Sequence, residues 1–375
     1  MKIADLEVVA ISVDSSPAVK LGEGWLFVLV HTDEGLTGLG EASQAENSSV
    51  RAYLLARLAP FLRGKDPCQI EPIVSEMLAA ANGRAAATAV SAVEQCLWDI
   101  WGQSLDRPIW ALLGGRYRDR IPLYANVNRG TFDRTPEGFA ASARAAVSDG
   151  FRAVKCAPFD GVTLRFPDRA ANAAGIALGV ERIAAIRAVV GPEIRVMVDC
   201  HGRFDVPTAI EVARRLEPLG LAWLEEPVPE TDLDGLERIR DRAPMPIAGA
   251  ESLIGRAGFW ETIRRRSLDV IMPDVKHCGG ILEGRKIAAL AETARLAVSP
   301  HNPSGPVSTM ASVHLCATIP NLLALEYAWG EADWRGRLLR PEETVTSGEI
   351  TVPDRPGLGF QLSDDIIAER RVPSS

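Results

Sequence analysis

The segments RVMVDCH (195–201), LAWLEEP (221–227) and PIAGAES (246–252) decide the fold. In each, a short apolar run that reads as a buried strand leads to an acid: Asp199, Glu225 and Glu251. The same interval, 26 residues, separates Asp199 from Glu225 and Glu225 from Glu251. Strand, helix and return strand at that period is what a parallel α/β barrel requires, and its C-terminal strand ends converge on one mouth. Three carboxylates gathered there repel one another unless a hard cation sits between them. The spacing therefore predicts a divalent ion, Mg²⁺, held by Asp199, Glu225 and Glu251 through oxygen alone. The bland alternative, three unrelated loop acids, leaves the equal spacing unexplained.

Outward from this centre the rhythm continues. PLYANVN (122–128), FRAVKCA (151–157), EIRVMVD (193–199), LAWLEEP (221–227), MPIAGAE (245–251), SLDVIMPD (267–274), ARLAVSPH (294–301) and NLLALEYA (321–328) make eight candidate strands. Seven helical stretches lie between them, among them EGFAASARAAVS (137–148) and EGRKIAALAETA (283–294), so residues 121–330 read as a (β/α)7β barrel. Residues 1–120 read as a separate α+β domain. EVVAISV (7–13), WLFVLVHT (25–32) and GLTGLGEA (35–42) are antiparallel strands with a hairpin at 34–35. SAVEQCLWDIWGQ (91–103) follows as an amphipathic helix with Val93, Leu97, Ile100 and Trp101 on one face. Residues 331–375 form a turn-rich tail expected to return to the first domain, completing a cap over the barrel.

Composition narrows the function. A chain of 375 residues, 47% hydrophobic, with a formal charge of −8, has no basic footprint for nucleic acid. No apolar stretch reaches the roughly 20 residues of a membrane span, and the N-terminus does not read as a signal peptide. The six cysteines show no CxxC and no paired spacing, which disfavours zinc and disulfides and fits a reducing, cytoplasmic setting. Cys156, Cys200 and Cys278 read as small buried thiols. The triplet Arg264–Arg266 reads as a solvated helix face.

Reactive residues recur at the other strand ends: Lys155, His201, Asp274, His301 and Glu326. Residues so placed in a barrel read as catalytic. The set suits proton abstraction beside a carboxylate, with Mg²⁺ and Lys155 stabilising the enediolate. His301 with Asp274 makes a base dyad. His201, alternating with Asp199 on an extended segment, is placed to protonate a departing hydroxyl. His277 reads equally well as structural, and Lys276 as a loop lysine.

Together VDCHGRF, WLEEP, AGAES, MPDVKHCGG and SPHNP resemble the mandelate racemase subgroup of the enolase superfamily. SAVEQCLWDIWGQ with LLGG (112–115) resembles its capping-domain helix, and PDRPGLGF (353–360) its closing segment. The resemblance implies Mg²⁺ on Asp199, Glu225 and Glu251, a His301–Asp274 base, and Glu326 on the substrate carboxylate side. Two departures refine it. Lys155-Cys156-Ala157 replaces the Lys-x-Lys of the racemases, removing a second base. Asp199-x-His201 is similar to the pattern of D-galactonate dehydratase-type enzymes. The resemblance thus implies an acid-sugar dehydratase, a hydro-lyase turning an aldonate or aldarate into its 2-keto-3-deoxy acid, in a homo-oligomer. Alternatives are an epimerase, racemase or cycloisomerase on the same scaffold, with His201 as second base, or a non-catalytic sugar-acid-binding relative. Specificity is expected from cap loops around Ser15–Trp25 and Ala81–Ala87, through Lys20 and Arg84. Phe159, Tyr327 and Trp329 are read as pocket walls or as core.

Overall fold

Eight parallel strands close into a barrel where the sequence places them. The computed structural model describes residues 1–13, 24–44, 47–163 and 169–372. In order, the barrel strands are Arg120–Asn126, Ala153–Cys156, Arg195–Asp199, Trp223–Glu225, Ile247–Gly249, Val270–Ile271, Ala297–Val298 and Leu325–Ala328. Each pairs in parallel with the next up to the seventh, and the eighth pairs with the first. A bridge between Val298 and Leu322 joins the seventh to the approach of the eighth. Equal spacing in sequence is not equal register, however. Asp199 lies opposite Glu225, but the partner of Glu225 is Ala248, so Glu251 stands beyond the last paired residue of its strand.

Seven helices alternate with these strands: Pro136–Ser148, Arg169–Val190, Val206–Leu216, Leu233–Arg240, Gly255–Arg265, Ile281–Thr293 and Pro306–Ala317. Their starts follow from local chemistry. The side chains of Thr135, Asp205 and Asp232 accept from the backbone N–H groups of Gly138, Thr208 and Gly235, and Pro136 and Pro207 occupy first turns. Inside the barrel a separate apolar floor packs Tyr124, Ala153, Met197, Trp223, Ala248, Val270, Met272 and Ala324 beneath the mouth. The Tyr124 and Trp223 rings meet edge to face there.

The cap holds an antiparallel sheet of Ile3–Ile11, Trp25–Thr32 and Thr37–Glu41. Against it lies the long helix Arg84–Ser104, which departs from the amphipathic expectation. Val93, Leu97 and Ile100 are buried, but so are Thr88, Ser91, Glu94, Gln95 and Asp99. The helix is sandwiched between sheet and barrel, and its polar residues face the seam rather than water. A Cβ on Gly38 would come within 2.1 Å of the Cys96 carbonyl oxygen, so only glycine permits this approach.

Across the seam, Glu94 accepts from the N–H groups of Ile281 (2.8 Å) and Leu282 (2.9 Å), and Glu41 accepts from those of Gly305 and Ser308 (2.8 Å each). Two cap carboxylates thus cap two barrel helices. The tail serves both domains. Thr351 and its neighbours in Glu349–Thr351 pair antiparallel with Arg120–Pro122 of the first barrel strand. Leu358 N–H meets Asp99 of the cap helix, and Arg371 bridges to Ile11 of the cap sheet.

Candidate active site

Asp199, Glu225 and Glu251 converge at the mouth, each offering an oxygen within 4.8 Å of the others. Burial, reinforced by the neighbouring carboxylates, pushes Glu225 up to about 8, although Lys155 opposes it. Burial likewise raises Glu251. Buried oxygens carrying more negative charge than the nearby cation balances are the donor set a hard divalent ion takes, so the three residues fit the metal expected of them.

Lys155 lies in the barrel interior, its Nζ donating to Glu225 (2.6 Å) and Glu326 (2.9 Å). Burial opposes its charge, but those two carboxylates outweigh it and raise its pKa well above the ordinary lysine value. Glu326 also accepts from Asn126 Nδ2 (2.6 Å) and from the N–H of Asn302 (3.0 Å). Lys155 is therefore a buried cation paired with both Glu225 and Glu326.

His301 sits between two carboxylates. Its Nδ1 is 2.8 Å from Asp274 Oδ2 and its Nε2 is 3.0 Å from Glu251 Oε2. Burial opposes a charge on this ring, but Glu251, Glu326 and Asp274 together raise its pKa. Asp274 is itself clamped. Its Oδ1 accepts from the N–H of Lys276 (2.7 Å), and the Lys276 ammonium stands 3.6 Å from Oδ2. Against burial, Lys276, His277 and His301 hold this carboxyl far below the ordinary range.

His201 flanks the triad from the other side, its Nε2 2.7 Å from Asp199 Oδ2 and its ring 44% exposed. Asp199 raises it to about 9. The route differs from the expected alternation. The strand ends at Asp199, and His201 adopts φ +48° in the following turn, so the backbone N–H also donates to Asp199 Oδ1 (2.8 Å). A left-handed residue folds the imidazole back onto the acid where an extended one would carry it onward. Glu226 (φ +41°) and Ala250 (φ +82°) are also left-handed and adjoin Glu225 and Glu251. Such conformations cost energy and cluster at functional sites.

One further expectation is revised, and others find their place. Lys276 is buried, its Nζ donating to the carbonyl of Ser43 in the cap (3.1 Å). His277 is buried and tied to Thr88 (2.8 Å), with burial holding its pKa well below the ordinary value, a structural role. Phe159 packs edge to face on Phe204, Tyr327 meets Glu343 and Phe151, and Trp329 donates to Asp149. These contacts account for all three aromatics as packing. Arg84 donates to Ser252 beside Glu251 (3.0 Å), whereas Lys20 lies outside the described residues. Sequence reasoning misses Asn126 and the clamping role of Lys276. Asn126 closes the first strand, and the strand-end rule that finds Lys155 would find it too.

Residues 17–114 match the mandelate racemase / muconate lactonizing enzyme N-terminal domain, and residues 138–366 match the enolase C-terminal domain-like family. D-xylonate dehydratase of Haloferax volcanii is 32% identical over 363 residues, covering 93% of this chain and 85% of that protein. D-galactonate dehydratase of Pectobacterium atrosepticum is 31% identical over 360 residues, covering 94% and 92%. The crystal structure of a mandelate racemase/muconate lactonizing enzyme from Jannaschia sp. CCS1 superposes with a TM-score of 0.87 at 33% identity, covering 100% and 99%. An acid-ringed barrel mouth under an α+β cap thus defines an enolase-superfamily enzyme. More narrowly, the chain belongs to the mandelate racemase and muconate lactonizing enzyme family, and both curated relatives named here are dehydratases. Among the described residues, no helix is long and apolar enough to cross a membrane.

Proposed function

We propose that the protein is an Mg²⁺-dependent acid-sugar dehydratase, acting on an aldonate or aldarate to give the 2-keto-3-deoxy acid. The observation that carries this reading is the pair of histidines flanking the triad, His301 against Glu251 and His201 against Asp199. When bound by Asp199, Glu225 and Glu251, the cation supplies positive charge to the substrate carboxylate and favours loss of the α-proton.

The chain's own groups do the rest. His301, oriented by Asp274 through Nδ1, presents Nε2 as the base and takes the α-proton. His201 delivers a proton to the β-oxygen as the C–O bond breaks, so the hydroxyl leaves as water and the enol product tautomerises to the 2-keto acid. Glu326, held by Lys155 and Asn126, lines the carboxylate side. Ala157 stands where racemases carry their second lysine base, which supports elimination over a two-base transfer. The test is a panel of aldonates and aldarates with Mg²⁺, read for 2-keto acid before and after chelation. Turnover on the panel is expected. Deuterium entering the α-carbon with no keto acid from any member would replace dehydration with epimerisation.

A further inference from the structure

One face of the cap helix Arg84–Ser104 forms a row of contacts with the barrel. Thr88 meets His277 Nδ1 (2.8 Å), Ser91 accepts from the N–H of Gly279 (3.0 Å), and Glu94 accepts from those of Ile281 and Leu282. Arg84 is the first member of this row, at positions i, i+4, i+7 and i+10. It lands on Ser252, the residue after Glu251, and the Ser252 N–H is held in turn by both oxygens of Glu230 (3.1 and 3.2 Å). Arg84, the exposed first residue of the helix, thus extends this row to the residue beside Glu251, at the rim of the acid cluster.

Its charge is available. Among the described residues, other cations of the strand-end loops are engaged: Lys155 by Glu225 and Glu326, Lys276 by Ser43 and Asp274, Arg129 by Glu331, and Arg203 by the carbonyls of Asp160 and Val162. Among the described residues Arg84 pairs with no carboxylate and donates only to Ser252. Its remaining N–H groups form the planar fork that takes a carboxylate in two bonds. A second anionic group on a substrate would be repelled by the acids around the mouth, and among the described residues Arg84 is a cation with no carboxylate of its own that could receive it.

We propose that Arg84 anchors a second carboxylate at the far end of the substrate, so that the preferred substrate is a sugar diacid, an aldarate. This rests on the acid-sugar reading above. The decisive measurement is binding by titration calorimetry with Mg²⁺, in a His301→Asn background that removes turnover, with galactarate and galactonate as the first matched pair. The diacid should bind more tightly. Arg84→Met should lower the diacid-to-monoacid affinity ratio about tenfold, the scale of a lost charged hydrogen bond, with Arg84→Lys between the two. A monoacid that binds as well as its diacid, or a ratio that Arg84→Met leaves alone, would overturn the proposal. Dehydration is scored separately, as keto acid from the protein with His301 intact, so absent turnover overturns the reaction while the affinity ratio still decides the role of Arg84.

Discussion

Two sets of buried carboxylates occupy this molecule and behave in opposite ways. At the seam, Glu41, Glu94 and Asp99 each accept two backbone N–H groups and lock cap to barrel and tail. At the mouth, Asp199, Glu225 and Glu251 face one another across a few ångströms, with Lys155 and two histidines as partial company. Both sets are costly to bury. The seam offsets the cost with hydrogen bonds already made, whereas the mouth leaves its charge for something not part of the chain. Burial alone does not mark a functional acid; what its oxygens face does.

The comparison breaks most visibly at Glu225. Glu225→Gln should leave the fold intact by circular dichroism yet reduce turnover by about 10³-fold or more, because a donor set of three has no spare member. Full activity after exhaustive chelation would take the triad out of the chemistry.

Next in size is a division of labour at the mouth. His301→Asn should abolish both dehydration and exchange of the α-proton with deuterated solvent. His201→Asn should lower dehydration by about 10²-fold while exchange continues, and a β-fluoro substrate should recover much of the loss, since fluoride leaves with less help from an acid. Should the two variants slow exchange equally, His201 serves only to hold Asp199.

On catalysis the smallest effects belong to the seam, whose residues act on stability instead. Glu94→Ala orphans the N–H groups of Ile281, Leu282 and the Trp98 indole and should cost about 2–5 kcal/mol in urea unfolding, sparing the Kd for Mg²⁺. Burial raises the Glu94 carboxyl from 4.5 to about 7, so the folded state holds its proton more tightly than the unfolded chain. The stability this group contributes is complete below about pH 4.5 and is lost as pH rises through about 7, roughly 3 kcal/mol at 1.36 kcal/mol per unit. Glu94→Gln should flatten that slope between pH 5 and 8; an unaltered slope would place the proton elsewhere.

The barrel and triad are legible because strand-end acids carry a period, and the dyad because SPH and MPD close neighbouring strands. What stays hidden is contact at a distance in sequence. Glu94 and Asp99 look like the solvated flank of an amphipathic helix until the sheet and barrel close on both sides of it. Lys276 looks like a loop lysine because nothing in MPDVKH discloses that its ammonium docks on Ser43, 233 residues away. The turn at His201 stays hidden for a related reason: histidine takes a positive φ more often than most residues, yet so few histidines do that its presence does not announce the turn.

The strand Ile3–Ile11 is the edge of the cap sheet, and its outer side is completed near Ile11 by residues from the far end of the chain. Ser12 N–H reaches the Arg370 carbonyl (3.0 Å), and Val372 N–H reaches that of Ala10 (2.9 Å). During synthesis the first of these segments leaves the ribosome long before the second exists. The cap cannot be finished until the whole barrel has been translated between them, and for that interval the edge stands open to pairing with other chains. The lid is begun first and closed last.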